Sequence, residues 1–149
     1  MVNVVIGIVE KDDKILLIQR EREDFIGLWG IPGGKVEECE HIDEAIKREM
    51  LEEIGVNMEF KSLLGTATEI MHDKDSTSMI YVCHLTMSND CIIENPEFKY
   101  KWFSKNEILN SNDLIESDKL FIKDFYIDKS KNYLKLDCYK DDNDNYYWE

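Results

Sequence analysis

The stretch that most constrains this chain runs from Gly34 to Val56 and reads GKVEECEHIDEAIKREMLEEIGV. It is bracketed by glycine, with Pro32-Gly33-Gly34 before it and Gly55 near its end. No glycine or proline interrupts Cys39 to Ile54, so this span is predicted to be helical. At about 100° per residue, Ile42, Ala45, Ile46, Met50 and Ile54 fall on one broad face, the one that turns toward a core. Glu49 and Glu53 fall in the middle of that face, and Glu52 sits on its edge.

A carboxylate aimed at a core is costly unless something compensates it, and two of them one turn apart also repel. One reading is a solvated acidic helix. The other is a divalent cation that lies against the helix and neutralises Glu49, Glu52 and Glu53 together. Spacings of three and four bring all three within reach of one site, and oxygen ligands of this kind suit Mg²⁺ or Mn²⁺.

The rest of the chain narrows the setting. At 149 residues and 43% apolar composition, the expectation is one domain over residues 1–149, large enough for a proper core. No apolar run is long enough to span a membrane. The opening MVNVVIGIVEKDD has no basic n-region or cleavage site, so a cytoplasmic location with no membrane partner is expected. Cys39, Cys83, Cys91 and Cys138 form no CxxC pair or zinc spacing and read as reduced thiols, Cys83 in a buried strand. The scattered His41, His72 and His84 carry no pattern. A net charge of −14 argues against a nucleic-acid partner. It does not exclude a small phosphorylated substrate, because a metal can invert the local field. Glu37 to Glu53 alone holds eight acids against Lys47 and Arg48.

Taken in order, Val2–Val9 and Lys14–Gln19 predict a strand hairpin around the turn Glu10–Asp13, with Gly7 at a bulge or close approach. Arg20–Asp24 is a charged loop in which Arg20 or Arg22 can reach a phosphate. Phe25, Leu28 and Trp29 lead into Gly30-Ile31-Pro32-Gly33-Gly34, where the backbone can approach a ligand. Lys35–Glu37 predicts a short strand, and Gly55 a helix C-cap. Strands are expected over Met58–Ile70, Ser78–Met87 and Phe98–Phe103, with Ile92-Ile93 as a short edge strand. Ser104 and Glu107 form a capping box opening a short helix. Leu114–Tyr126 is a second helix, and Asn132–Tyr139 pairs through the DDND turn with Tyr146–Trp148, the alternative being a frayed acidic terminus.

Gly34, Glu40, Arg48-Glu49, Met50, Glu52-Glu53 and Gly55-Val56 stand at the spacing of a 23-residue signature. This stretch resembles the signature box of the Nudix (MutT-like) pyrophosphohydrolases, with every defined position filled. Trp29 to Lys35 resembles the family's lead-in, and so does Glu97 to Phe103 with its capped helix. The resemblance covers about residues 1–125, and the tail after Asp128 stands outside it as a C-terminal extension. It implies an α/β/α sandwich with a mixed β-sheet between helices. It further implies hydrolysis of a diphosphate linkage in a nucleoside diphosphate derivative, dependent on Mg²⁺ or Mn²⁺. In family terms Glu52 and Glu53 are the principal metal ligands, and Glu49 is a ligand or the base that activates water. The Gly33 carbonyl is a further ligand, while Glu40 and Arg48 orient the glutamates. A late-loop acid often joins them. Glu94 and Glu97 are the candidates, with Glu97 preferred for its closeness to the strand reaching Trp102.

The substrate's other half is less legible. Arg20, Lys35 and the Gly34 amide can touch phosphates. Phe25, Leu28 and Trp29 can stack a base or simply pack. Asn112 and Asp113 lie where some purine-selective relatives read the base. The expectation is an enzyme acting on a nucleoside triphosphate or another nucleoside diphosphate derivative, including oxidised or non-standard ones. It acts as a monomer or homodimer. The alternatives are a non-catalytic regulatory domain that binds a nucleotide, and an interaction protein whose acidic face binds a basic partner.

Overall fold

The computed structural model describes residues 1–21 and 24–149. Strand β1 (Val2–Lys11) is its axis. Its β-branched run buries Val5, Ile6, Ile8 and Val9 on both faces, as expected for a central strand. It turns through Asp12 and Asp13, both at positive φ (52° and 62°), the backbone of a tight hairpin turn. Strand β2 (Lys14–Gln19) returns antiparallel from there.

Seven further strands complete a curled mixed sheet: β3 (Trp29–Gly30), β4 (Gly33–Lys35), β5 (Glu59–Met71), β6 (Ser76–Thr86), β7 (Tyr100–Ser104), β8 (Tyr133–Lys140) and β9 (Tyr146–Trp148). The order is β3-β2-β1-β6-β5-β8-β9, with β4 added to β1 and β7 to β2. The β1–β6 and β5–β8 pairs are parallel and the rest antiparallel.

Helix α1 (Ile42–Glu53) covers one face. Ala45, Ile46, Met50 and Ile54 pack with Val5, Val9, Leu16, Ile18, Cys83 and Leu85. Gly7 permits this approach, since a Cβ there would lie 2.4 Å from the Met50 Cε. On the other face lie α2 (Lys105–Asn110) and α3 (Glu116–Phe121), the latter continuing as a π-helical segment Ile122–Ile127. Ile108, Phe121, Ile122 and Phe125 pack there with Ile6, Ile8, Ile15, Leu17 and Leu136. Two apolar layers on one sheet make the α/β/α sandwich.

Several elements are shorter than the sequence predicts, shifted or absent. Helix α1 starts at Ile42 rather than Cys39, because Cys39 is at φ 59° and the Glu40 carboxylate accepts the Glu37 amide at 3.0 Å. That local turn holds residues 37–40 out of the helix. Strand β4 is Gly33–Lys35, set by its register with Val4–Ile6. Ile92-Ile93 forms no strand, and Ile92 is 75% exposed. Gly55 caps α1 as expected, at φ 80° with its amide donating to the Met50 and Leu51 carbonyls. The C-terminal hairpin forms, with β8 docked parallel on β5. The four cysteines are free thiols, Cys83 buried in β6.

Since Met50 is fully buried beneath Gly7, Met50→Ala should lower the unfolding free energy by about 2–5 kcal/mol, read from urea denaturation followed by circular dichroism.

Candidate active site

The last turn of α1 meets the β3–β4 loop at the end of the sheet. Docking of the Ile46/Met50/Ile54 stripe aims Glu49 and Glu53 into the cleft beside that loop. Glu53 is only 6% exposed, and its Oε1 accepts the Gly33 amide at 3.0 Å. At the start of β4, Gly33 has no room for a side chain against the backbone, and a side chain at Gly34 would displace the Glu49 carboxyl group. A Cβ at Gly33 would lie 2.0 Å from the Val5 carbonyl oxygen, and one at Gly34 would lie 2.4 Å from the Glu49 carboxyl carbon.

The cleft has a volume of about 410 Å³, and Glu49, Glu52, Glu53 and Glu97 all line it. Arg20, Ile31 and Phe98 also line it. Glu97 is carried on the 87–99 loop, and its amide donates to the Glu53 carbonyl at 2.9 Å, which pins that loop to the helix end. Glu94 is exposed and outside the cleft lining. Burial pushes the Glu53 carboxyl up to about 8, reinforced by the Glu49 and Glu97 charges and opposed by the Gly33 amide and Arg20. Burial likewise raises Glu49, against the pull of Arg48.

Arg48 is the hub behind these acids. Its Nε and Nη2 donate to the two Glu40 oxygens at 2.7 and 3.0 Å. Nη1 donates to Glu49 at 3.0 Å and reaches Glu52 at 3.3 Å, and Nη2 also donates to the Lys35 carbonyl at 3.0 Å. The planar fork makes these bonds at once, which a lysine cannot. The Glu40 carboxyl is held down at about 2 by the Arg48 guanidinium and the Glu37 amide.

The sequence matches the NUDIX domain family over residues 1–125. The chain belongs to the Nudix family. Among relatives, it is 52% identical over 59 residues to the ADP-ribose pyrophosphatase of Methanocaldococcus jannaschii, covering 40% of this chain and 35% of that one. It is 31% identical over 107 residues to the uncharacterised Nudix hydrolase YvcI of Bacillus subtilis, covering 69% and 66%. The aligned stretches thus span from about a third to two thirds of those relatives' own lengths. Among solved structures, the MutT protein of Bacillus halodurans aligns with a TM-score of 0.68 at 28% identity, covering 100% of this chain and 98% of that one. The Escherichia coli ORF135 protein aligns at 0.71 and 27% identity, over 87% and 91%.

In this Nudix chain, the structure brings Arg20, Gly33, Glu49, Glu52, Glu53 and Glu97 to one cleft, with Gly34 beneath Glu49 and Arg48 behind it. It does not bring the rest. Trp29 packs into the core against Phe103, with ring centroids 5.4 Å apart. Lys35 is exposed on β4, and only its carbonyl reaches the Arg48 hub. Asn112 lines a separate cavity with Lys119 and Lys123, and the Asp113 carbonyl accepts the Trp29 amide. Arg22 lies outside the described residues.

Sequence reasoning missed Asp118. Its Oδ2 accepts the Ile31 amide at 2.9 Å, and a Cβ on Gly30 would lie 2.7 Å from that oxygen. Burial pushes its carboxyl up to about 7. Its only signal in sequence is Gly30, whose partner stands 88 positions later.

Since the Glu40 carboxyl falls from 4.5 to about 2 on folding, its contribution is complete above about pH 5 and is lost as pH falls through the folded value. The stability gap between wild type and Glu40→Gln should therefore be widest at neutral pH and close between about pH 5 and 2. Urea unfolding at a series of pH values reads it, and a gap constant down to pH 2 would remove the Arg48–Glu40 pairing.

Proposed function

We propose that this chain is a divalent-metal-dependent hydrolase that cleaves a phosphoanhydride bond in a nucleoside triphosphate or another nucleoside diphosphate derivative. The observation that carries the reading is the buried Glu53 carboxyl, raised by burial and by the neighbouring Glu49 and Glu97 charges, with the Gly33 amide and Arg20 opposing that rise. The relatives' names point the same way: ADP-ribose pyrophosphatase in M. jannaschii, CTP pyrophosphohydrolase and nucleoside triphosphatase NudI in E. coli.

The donor set fits Mg²⁺ or Mn²⁺, since every candidate ligand is an oxygen. Among the described residues, no three acidic, histidine or cysteine side chains converge on one point. Mg²⁺ does not require that, because it commonly keeps several waters and takes one or two carboxylates plus substrate phosphates. Glu53 and Glu49 would hold it with the Gly33 carbonyl, and Glu52, its side chain 53% exposed, would join from the helix edge. Such an ion neutralises phosphate charge and lowers the pKa of bound water.

The chain's own groups supply the rest. Arg20, which shares the cleft lining, meets phosphate oxygens. Water attacks one phosphorus, the bridging P–O bond breaks, and its electron pair leaves on the departing phosphate. The water's proton passes to a carboxylate of the cleft, Glu97 or Glu49. Arg48 touches none of the reacting atoms and acts as a positioning residue, fixing Glu49 and Glu52 through its fork.

Three measurements test this. Folding without metal raises the Glu53 carboxyl to about 8 and so opposes folding at neutral pH; Glu53→Gln removes that cost, so the metal-free variant should melt at or above wild type. Wild type should gain about 2.7 kcal/mol at a hundred times the Mg²⁺ dissociation constant, and the variant should lose that gain together with turnover. Equal Mg²⁺ stabilisation of both would overturn the metal assignment. If Glu97 is the base, Glu97→Gln lowers kcat by about a hundredfold or more with nucleotide affinity retained. A panel of nucleotides incubated with Mg²⁺ or Mn²⁺, products identified, names the substrate. Binding without turnover across the panel would favour a regulatory nucleotide-binding domain.

A further inference from the structure

The loop after β2 joins the acid cleft to a second cavity. At its base, the Arg20 amide donates to the Leu28 carbonyl at 2.9 Å and the Gly27 amide to the Arg20 carbonyl at 2.8 Å. Arg20 lines the acid cleft, whereas Phe25 and Leu28 line a cavity of about 480 Å³ that the C-terminal hairpin closes with Tyr146 and Trp148. These two residues lie beyond the stretch matched to the family, residues 1–125.

The walls are flat and fixed. Phe25 stacks on Trp148 with centroids 5.6 Å apart and tilts against Tyr146 at 5.0 Å. The Trp148 Nε1 donates to Glu69 at 2.8 Å, which sets the indole plane. The Tyr146 hydroxyl shares its one hydrogen between the carboxylates of Asp24 and Asp73, at 3.3 and 3.2 Å, and Lys74 pairs with Asp24. The β5–β6 turn and the hairpin thus clamp the loop together. Phe25 itself is at φ 66°, a backbone state an aromatic residue rarely adopts, and in that state its ring meets Tyr146 and Trp148.

The rim decides what enters. The described lining holds Asp24, Glu116 and Asp144 and no lysine or arginine. Asp24 is already paired with Lys74, and the Lys140 ammonium stands 5.0 Å over the Tyr146 ring, so the acceptors the rim offers are Glu116 and Asp144, to which a planar ring with amino donors can donate while it stacks on the walls. Resting on the nucleotide reading above, we infer that this cavity receives the nucleobase end of the substrate. It selects adenine, guanine or cytosine over uracil or thymine, with Phe25, Tyr146 and Trp148 as the specificity-determining walls.

The test uses the full chain in two arms. Calorimetric titration with AMP, CMP, UMP and ribose 5-phosphate reads binding without turnover. Mg²⁺-dependent hydrolysis of ATP, CTP and UTP reads KM and kcat. AMP and CMP should bind more tightly than UMP, and ribose 5-phosphate most weakly. Phe25→Gly relieves the left-handed backbone while deleting the ring, so it should fold. It should weaken AMP binding and raise the ATP KM by about tenfold, with the change in KM rather than kcat. Trp148→Ala should do the same, with circular dichroism as the check on fold, and Tyr133→Ala on the outer sheet face is the control. Equal binding of all four ligands, or wild-type affinity in a folded Phe25→Gly, overturns the pocket. Base-independent KM values with active hydrolysis overturn the pocket and leave the hydrolase reading standing. AMP binding that Phe25→Gly abolishes, without turnover of any nucleotide, supports the pocket and overturns the hydrolase reading.

Discussion

A carboxylate held out of water at the end of α1 organises this molecule. Glu53 is nearly inaccessible, and one main-chain amide, from Gly33, is its hydrogen-bond donor. An uncompensated anion there opposes folding, so the surrounding structure must insist on it. The apolar stripe of α1 does so from below, since Ile46, Met50 and Ile54 are each fully buried. The glycine pair does so from above, because Gly33 has no room for a Cβ against the Val5 carbonyl and its amide donates to Glu53. The chain therefore accepts local electrostatic cost where the candidate chemistry needs charge, and stabilises it with packing elsewhere.

Arg48 shows how that tension is kept local. It gathers Glu40, Glu49 and Glu52 on one guanidinium, while the Lys35 carbonyl fixes the fork's orientation. Glu40 pairs fully and titrates far below its usual range, whereas Glu49, nearer the cleft, is still raised by burial. A single cation on the outer side of the helix thus leaves the inner acids under-neutralised.

Much of this was legible in the sequence because it is local. The conflict between the apolar stripe and Glu49 and Glu53 appears within sixteen residues, and the caps at Gly55 and Ser104 are short-range chemistry. Glu97 was reachable only by the family resemblance, since its place depends on a backbone bond to Glu53 forty-four positions earlier. Asp118 and the placement of β8 were not legible. Helix α3 is six residues long and passes into a π-helical segment, too short for a helical period to single out one acid. The β8 strand alternates clearly, but alternation does not choose a partner, and its parallel pairing with β5 joins residues sixty-seven positions apart. Trp29 misled because a tryptophan beside a glycine loop reads equally as a stacking ring or a core residue, and its contact with Phe103 decides for the core.

The parallel seating of β8 has a consequence for the loop after β2. A terminal hairpin held only by its own turn would be marginal, yet this one extends the sheet and inserts Leu136 and Cys138 into buried positions. Its register is thereby fixed, because a one-residue slip would turn Leu136 to solvent and Tyr139 to the core. A fixed register places Trp148 opposite Cys138, where its indole reaches both Glu69 and Phe25. The position of the Phe25 loop is thus set by sheet pairing far from the signature helix. That same loop begins at Arg20, on the wall of the acid cleft. Backbone hydrogen bonds of Arg20 with Gly27 and Leu28 thus link the contacts of the extension to the wall of the candidate site, although none of the extension's residues lines the cleft.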